Sequence, residues 1–154
     1  MPFDELQVFT DLLSAISLLQ DIQIIIKLHP GSRRPHRYDS LIESAETRII
    51  LAPQGCTMDS LLAKADLVVG MNSAGLFEAA LRGRPVVSYQ PGQTRYMDPL
   101  MSNRLGLSVP VYSMKKLIPV IKRVLSERLK RPIAAKAYTH SGATKKIISL
   151  LESI

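Results

Sequence analysis

Apolar and polar positions alternate along the chain with two different periods. Phe9, Leu12, Leu13, Ile16 and Leu19 recur at helical spacing, which predicts an amphipathic helix over 4–20. Ile22 to Leu28 is instead a short β-branched run ended by His29-Pro30-Gly31, the pattern of a buried strand and a turn. Residues 38–46 predict a short helix, and Arg48 to Leu51 a second strand stopped by Pro53 and Gly55. Thr57 or Asp59 can cap a helix through Lys64, after which Asp66 to Gly70 reads as a third buried strand. Asn72 and Ser73 open a helix that runs to the stop at Gly83-Arg84-Pro85, and Val86 to Tyr89 is a fourth strand. Pro91 to Arg104 reads as a long polar loop, and Leu107 to Val111 as an edge strand. Two helices complete the pattern: one over 113–129, with Leu117, Val120, Ile121 and Val124 inward, and another over 141–153.

Short apolar strands alternating with amphipathic helices predict an α/β fold, a Rossmann-like doubly wound parallel sheet with helices on both faces. Repeats, low-complexity tracts and linkers are absent, so residues 1–154 are expected to form a single domain. A doubly wound domain normally opens with a strand and a glycine-rich turn, whereas this sequence opens with a helix. The expectation is therefore that a first strand is missing from the sequence.

Composition narrows the chemistry. The chain has 154 residues, 20 Lys+Arg against 13 Asp+Glu, and a formal charge of +7, so an anionic partner is expected. Aromatic residues are only 5% of the chain and Trp is absent, which argues against a nucleic-acid surface built on base stacking and leaves a phosphorylated ligand. The single cysteine, Cys56, excludes an intramolecular disulfide and fits a reducing cytoplasm. Gln20, Asp21, Gln23 and Lys27 interrupt the apolar opening, so no stretch is long enough to span a bilayer. The basic balance also admits peripheral contact with the inner face of an anionic plasma membrane.

In an open α/β sheet, ligands bind beyond the carboxyl ends of the strands. Two segments there carry chemistry. Lys27-Leu28-His29-Pro30-Gly31-Ser32-Arg33-Arg34 sets an imidazole and two guanidinium groups just after a strand, donors suited to phosphate oxygens. The same residues also suit a turn cap with solvated arginines. Ala65 to Val87 runs strand, small-residue turn, helix and strand, and the helix start at Ser73-Ala74-Gly75 offers free N–H groups and a positive dipole end to an anion. Glu78 follows about one turn later, where a carboxylate can accept from ribose hydroxyls. Ordinary helix capping explains the same pattern, and the glycine spacing is not G-x-G-x-x-G. No Asp-x-Asp pair and no metal-ligand spacing of His29, His36 and His140 is present, so neither a metal nor a cofactor is expected, and without a Gly-x-Ser-x-Gly elbow Ser73 is not expected to be a hydrolase nucleophile. Lys145 and Lys146 fit a solvated helical turn.

The stretch Ala65-Asp66-Leu67-Val68-Val69, the Ser73-Ala74-Gly75 turn, Glu78-Ala79 and Gly83-Arg84-Pro85-Val86 together resemble the C-terminal, donor-binding domain of GT-B fold glycosyltransferases and the related non-hydrolysing nucleotide-sugar 2-epimerases. His29-Pro30 resembles a motif of bacterial surface-polysaccharide transferases. The resemblance covers about 22–111. It implies a nucleotide-activated sugar, such as a UDP- or CMP-sugar, with Glu78 on the ribose and Ser73, Ala74 and Gly75 on the pyrophosphate. His29 would act at the departing oxygen, with Arg33 beside it. The loop with Gln93, Asp98 and Asn103 would lie near the donor sugar. Asn72-Ser73-Ala74-Gly75 departs from the Ser-Gly-Gly turn of the epimerases, which favours transferase over a UDP-N-acetylglucosamine 2-epimerase. GT-B enzymes react in a cleft between two domains, so an N-terminal acceptor-binding half is an expected partner and this chain alone is expected to be inactive. A non-catalytic nucleotide-binding module is the other reading.

Overall fold

The computed structural model describes residues 4–19, 21–29, 35–45, 48–53 and 55–127. Arg33 and the helix expected over 141–153 lie outside these residues. Along the described chain, α1 spans Glu5–Ile16, β1 Gln23–Ile26, α2 Asp39–Glu43 after a 3-10 turn over Pro35–Tyr38, β2 Arg48–Leu51 and α3 Met58–Leu62. There follow β3 Val68–Gly70, α4 Ala74–Leu81, β4 Val86–Tyr89, α5 Met101–Arg104, β5 Val109–Val111 and α6 Met114–Glu127. Among the described residues no helix is long and apolar enough to cross a membrane.

Every strand pairing among the described residues is parallel. β4 lies between β3 and β5, with Val68 opposite Val86 and Val87 opposite Val109, while β1 pairs with β2 from Gln23 opposite Arg48. This is the expected Rossmann-like α/β fold, and β4 shows why it holds together. All four of its residues are buried. Val87 and Tyr89 pack with Val8 and Ala15 of α1 and with Leu117, Ile121 and Val124 of α6. Val86 packs on the other side with Leu62 of α3 and with Leu76, Ala79 and Ala80 of α4. Alternate residues of one strand thus feed two cores, the requirement of a sheet covered on both faces.

Three expectations change. Among the described residues the strands form two open sheets, of two and three strands, rather than one. The first strand is not buried: exposure alternates along β1, and Ile25 is 41% exposed. The reason is where α1 goes, because its inward side chains join the β4–β5–α6 core and leave one face of β1 and β2 uncovered. The polar loop over 91–104 contains α5, a single turn closed by Arg104 N–H to Leu100 O at 3.2 Å and Leu105 N–H to Met101 O at 3.0 Å. Four residues are too few to display a helical period.

Local signals explain the remaining boundaries. Thr57 Oγ1 accepts from Ser60 N–H at 3.3 Å and caps α3. α4 ends as a helix with glycine at its left-handed position should: Gly83 has φ 74°, its N–H reaches Ala80 O at 2.9 Å, and Arg84 N–H reaches Ala79 O at 3.0 Å.

Candidate functional site

Parallel pairing puts the carboxyl ends of β3, β4 and β5 on one edge of their sheet. At β3 the chain turns through Met71, Asn72 and Ser73 into α4. A Cβ on Gly70 would stand 2.9 Å from Leu76 Cδ2, so the bare glycine is what lets the first turn of α4 close over the strand end. Ser73 is extended (φ −139°, ψ 141°), and its Oγ accepts from Gly75 N–H at 3.1 Å. Ser73 and Ala74 are exposed, so the start of this eight-residue helix and its positive dipole end are open to solvent. Glu78 is half-buried one turn on. Its Oε1 lies 2.8 Å from an Arg82 guanidinium nitrogen, and the same guanidinium pairs with Asp59 on α3. A ligand hydroxyl at Glu78 would use the carboxylate's remaining acceptor sites.

Ser73, Ala74, Gly75 and Glu78 are therefore brought together on one helix. His29 is exposed three residues beyond β1, at the carboxyl end of the other sheet, which shares no ladder with β3. Among the described residues, His, Cys, Asp and Glu side chains form no group of three or more placed to hold a metal ion.

The most organised polar cluster lies beside this turn, after β4. Asp98 is 2% exposed. One of its carboxylate oxygens accepts from Leu100 N–H at 2.8 Å and Gln90 Nε2 at 3.2 Å, and the other from Tyr112 OH at 2.7 Å and Asn103 Nδ2 at 2.5 Å. Arg104 Nε donates to the Asp98 carbonyl at 3.1 Å. Asn103 Nδ2 also reaches Ser88 Oγ at 2.6 Å, and Ser108 OH donates to Asn103 Oδ1. Burial pushes the Asp98 carboxyl up, but the bonds from Leu100, Tyr112, Asn103 and Gln90 outweigh it and hold the group below the ordinary carboxylate value. Burial and the neighbouring carboxylate push the Tyr112 phenol up to about 12.

Asp98 and Asn103 thus spend their polar atoms inside the protein. They tie the segment from Gln90 to Leu105 onto the ends of β4 and β5. Sequence carried one signal for this: Asp98-Pro99-Leu100 is the residue order of a turn in which an Asp oxygen accepts the N–H two residues on. Nothing local marks Tyr112 as a partner of Asp98 or Ser88 as a partner of Asn103.

Parallel strands with helices between them and polar groups at their carboxyl edge define the Rossmann-like class of α/β domain. Within that class, the family model for capsule polysaccharide biosynthesis proteins matches residues 6–98, and the chain belongs to this family. The match runs from α1 to Asp98 and includes His29 and the whole β3–α4 turn. Membership places the chain in surface-glycan synthesis. A comparison with curated proteins returns no significant match.

Proposed function

We propose that this chain is the donor-binding half of a metal-independent glycosyltransferase of surface-glycan synthesis, and that it takes a nucleotide-activated sugar. The supporting observation is the exposed, Ser73-capped start of α4 at the carboxyl edge of β3, inside the family-matched segment. Such a helix start favours diphosphate oxygens through its N–H groups and dipole. In this reading Ser73, Ala74 and Gly75 hold the pyrophosphate and Glu78 accepts from the ribose hydroxyls. His29, with Arg33, stabilises the departing phosphate as the bond from the anomeric carbon to its oxygen breaks and a bond to the acceptor oxygen forms. A second domain supplies the acceptor site and the base that takes the acceptor's proton.

The test is a thermal-shift titration of the chain with UDP, CMP, CDP, GDP, their sugar conjugates and inorganic phosphate. Ligand at about 100 times its Kd stabilises the native state by about 2.7 kcal/mol, so a real site is readily seen. A saturable shift selective for one base is expected. Glu78→Ala should weaken nucleotide binding about tenfold through lost hydrogen bonds, while its exposed pair with Arg82 contributes at most about 0.5 kcal/mol to the unliganded fold. Undiminished affinity in Glu78→Ala would sink the ribose assignment, and the absence of any nucleotide shift would sink donor binding by this chain.

A further inference from the structure

Residues 84–126 contain seven Lys or Arg and one acidic residue, Asp98. That aspartate is 2% exposed and its oxygens are bonded internally, so every exposed formal charge in this stretch is positive. Apolar groups stand out among these cations. Tyr96 is 96% exposed, Met97 68% and Met114 47%. Single exposed apolar residues are ordinary, but here they are gathered at one end of the sheet.

Their backbone is fixed. Gly92 N–H bonds Tyr112 O at 3.2 Å, Met97 N–H bonds Thr94 O at 3.1 Å, and the Asp98 carboxylate ties the next residue of the loop to Tyr112 OH at 2.7 Å. Tyr96 and Met97 are therefore held outward by a buried anchor rather than free to fold back. Tyr112 and Ser113 lead directly into Met114, Lys115 and Lys116, and Arg95 lies near enough to Tyr112 to bear on its phenol electrostatically. Arg95, Lys115 and Lys116 form no ion pair among the described residues. From Met114 the surface continues into an open groove of about 390 Å³ between α1 and α6, lined by Leu18, Ala15 and Ile118.

We infer that this end of the domain docks on a bilayer carrying anionic headgroups. Arg95, Lys115 and Lys116 pair with lipid phosphates, and Tyr96, Met97 and Met114 enter the headgroup boundary. Exposed cations flanking apolar side chains match the two layers of such a surface, charge outside and hydrocarbon beneath. A nucleic acid fits less well, because the patch offers one exposed aromatic ring where a strand needs a series of stacking platforms. Ser73 and Glu78 take no part, so the inference stands or falls separately from the nucleotide site.

The experiment is co-sedimentation of the full chain with phosphatidylcholine vesicles and with vesicles containing phosphatidylglycerol, at low and high salt. Binding to the anionic vesicles only, weakened by salt, is expected. Lys115→Glu/Lys116→Glu should lower the partition coefficient by at least about tenfold, at roughly fivefold per cation near the surface. Tyr96→Ser/Met97→Ser should lower it severalfold while leaving the melting temperature and any nucleotide shift intact, since both side chains lie in solvent. No binding to anionic vesicles overturns the proposal, as does wild-type binding by either double variant. Equal retention of wild type and Tyr96→Ser/Met97→Ser on heparin or single-stranded DNA, with no vesicle binding, assigns the cations to a soluble polyanion instead.

Discussion

Replacing Asp98 by Asn tests whether a buried carboxylate organises the carboxyl edge of β4 and β5. The carboxylate accepts four hydrogen bonds, two on each oxygen. An asparagine of the same shape offers one acceptor oxygen and one NH2, so in either orientation two of the four donors lose their acceptor. Losing two bonds to a charged group, less the relief of no longer burying the charge, costs about 3 kcal/mol. In a domain of this size that is about 6–12 °C in melting temperature. Urea unfolding followed by far-UV circular dichroism measures it, with an unchanged m-value showing that stability alone has moved. The pH dependence is a second readout. The folded-state pKa of Asp98 is depressed, so its contribution is complete above the ordinary carboxylate value and is lost as pH falls through the folded value. The gap between wild type and Asp98→Asn should therefore be full near about pH 7 and shrink toward about pH 3. A variant melting within about 1 °C of wild type, or a gap that does not change with pH, would refute the reasoning.

Two further substitutions probe the helices around this edge. Ser73→Ala should destabilise the unliganded chain by about 1 kcal/mol through loss of the α4 cap, and Ser73→Gly by only a few tenths; chemical denaturation resolves the difference, and equal costs would show that the serine oxygen does not cap. Tyr89 OH donates to Asp11 Oδ2 at 2.5 Å, joining α1 to the central strand, and Tyr89→Phe should cost about 2 kcal/mol because it leaves the buried Asp11 carboxylate short of a donor. Burial and Asp11 raise the Tyr89 phenol pKa, so this contribution is complete at and below the ordinary phenol range and is lost only as pH rises through the folded value; a gap between Tyr89→Phe and wild type that closes by about pH 8 would contradict it.

The order of strands and helices was legible because each depends on local pattern. Val86 to Tyr89 is apolar at three of four positions and proves central, and Leu117, Ile121 and Val124 recur at helical spacing and prove buried. The Ser73 cap was legible for the same reason, as a hydroxyl placed just before a helical run. What resisted reading depends on partners far apart in sequence. Ile24-Ile25-Ile26 looks like a strand covered on both faces, and only the packing of α1 against α6 shows that one face is left open. Asp11 looks like a polar residue on an amphipathic helix, yet it is 8% exposed because Tyr89 lies across from it. Asp98 sits in a stretch with the composition of a solvated loop, and its burial depends on Tyr112 closing on it from beyond β5.

The two sides of the carboxyl edge differ in how far their polar groups are committed, and Gln90 marks the boundary. It follows β4 directly, is fully buried, and its Nε2 is taken by Asp98 at 3.2 Å. Its Oε1 has no hydrogen-bond donor among the described residues. The amide cannot turn over to escape, because a flip would set that oxygen against the Asp98 carboxylate. An orphaned buried acceptor costs about 1–3 kcal/mol, so the fold tolerates it only because the Asp98 cluster fixes the loop around it. Across the β3–β4 pairing, where Gly70 lies opposite Ser88, the Ser73 end of α4 is exposed, with Gly75 N–H held by Ser73 Oγ and Leu76 N–H by the Ser73 carbonyl. Among the described residues the Asp98 cluster is satisfied by its own bonds while Gln90 Oε1 and Gln93 Oε1 are not, so in the proposed reading an anion at the helix start would bind beside groups largely ordered in folding.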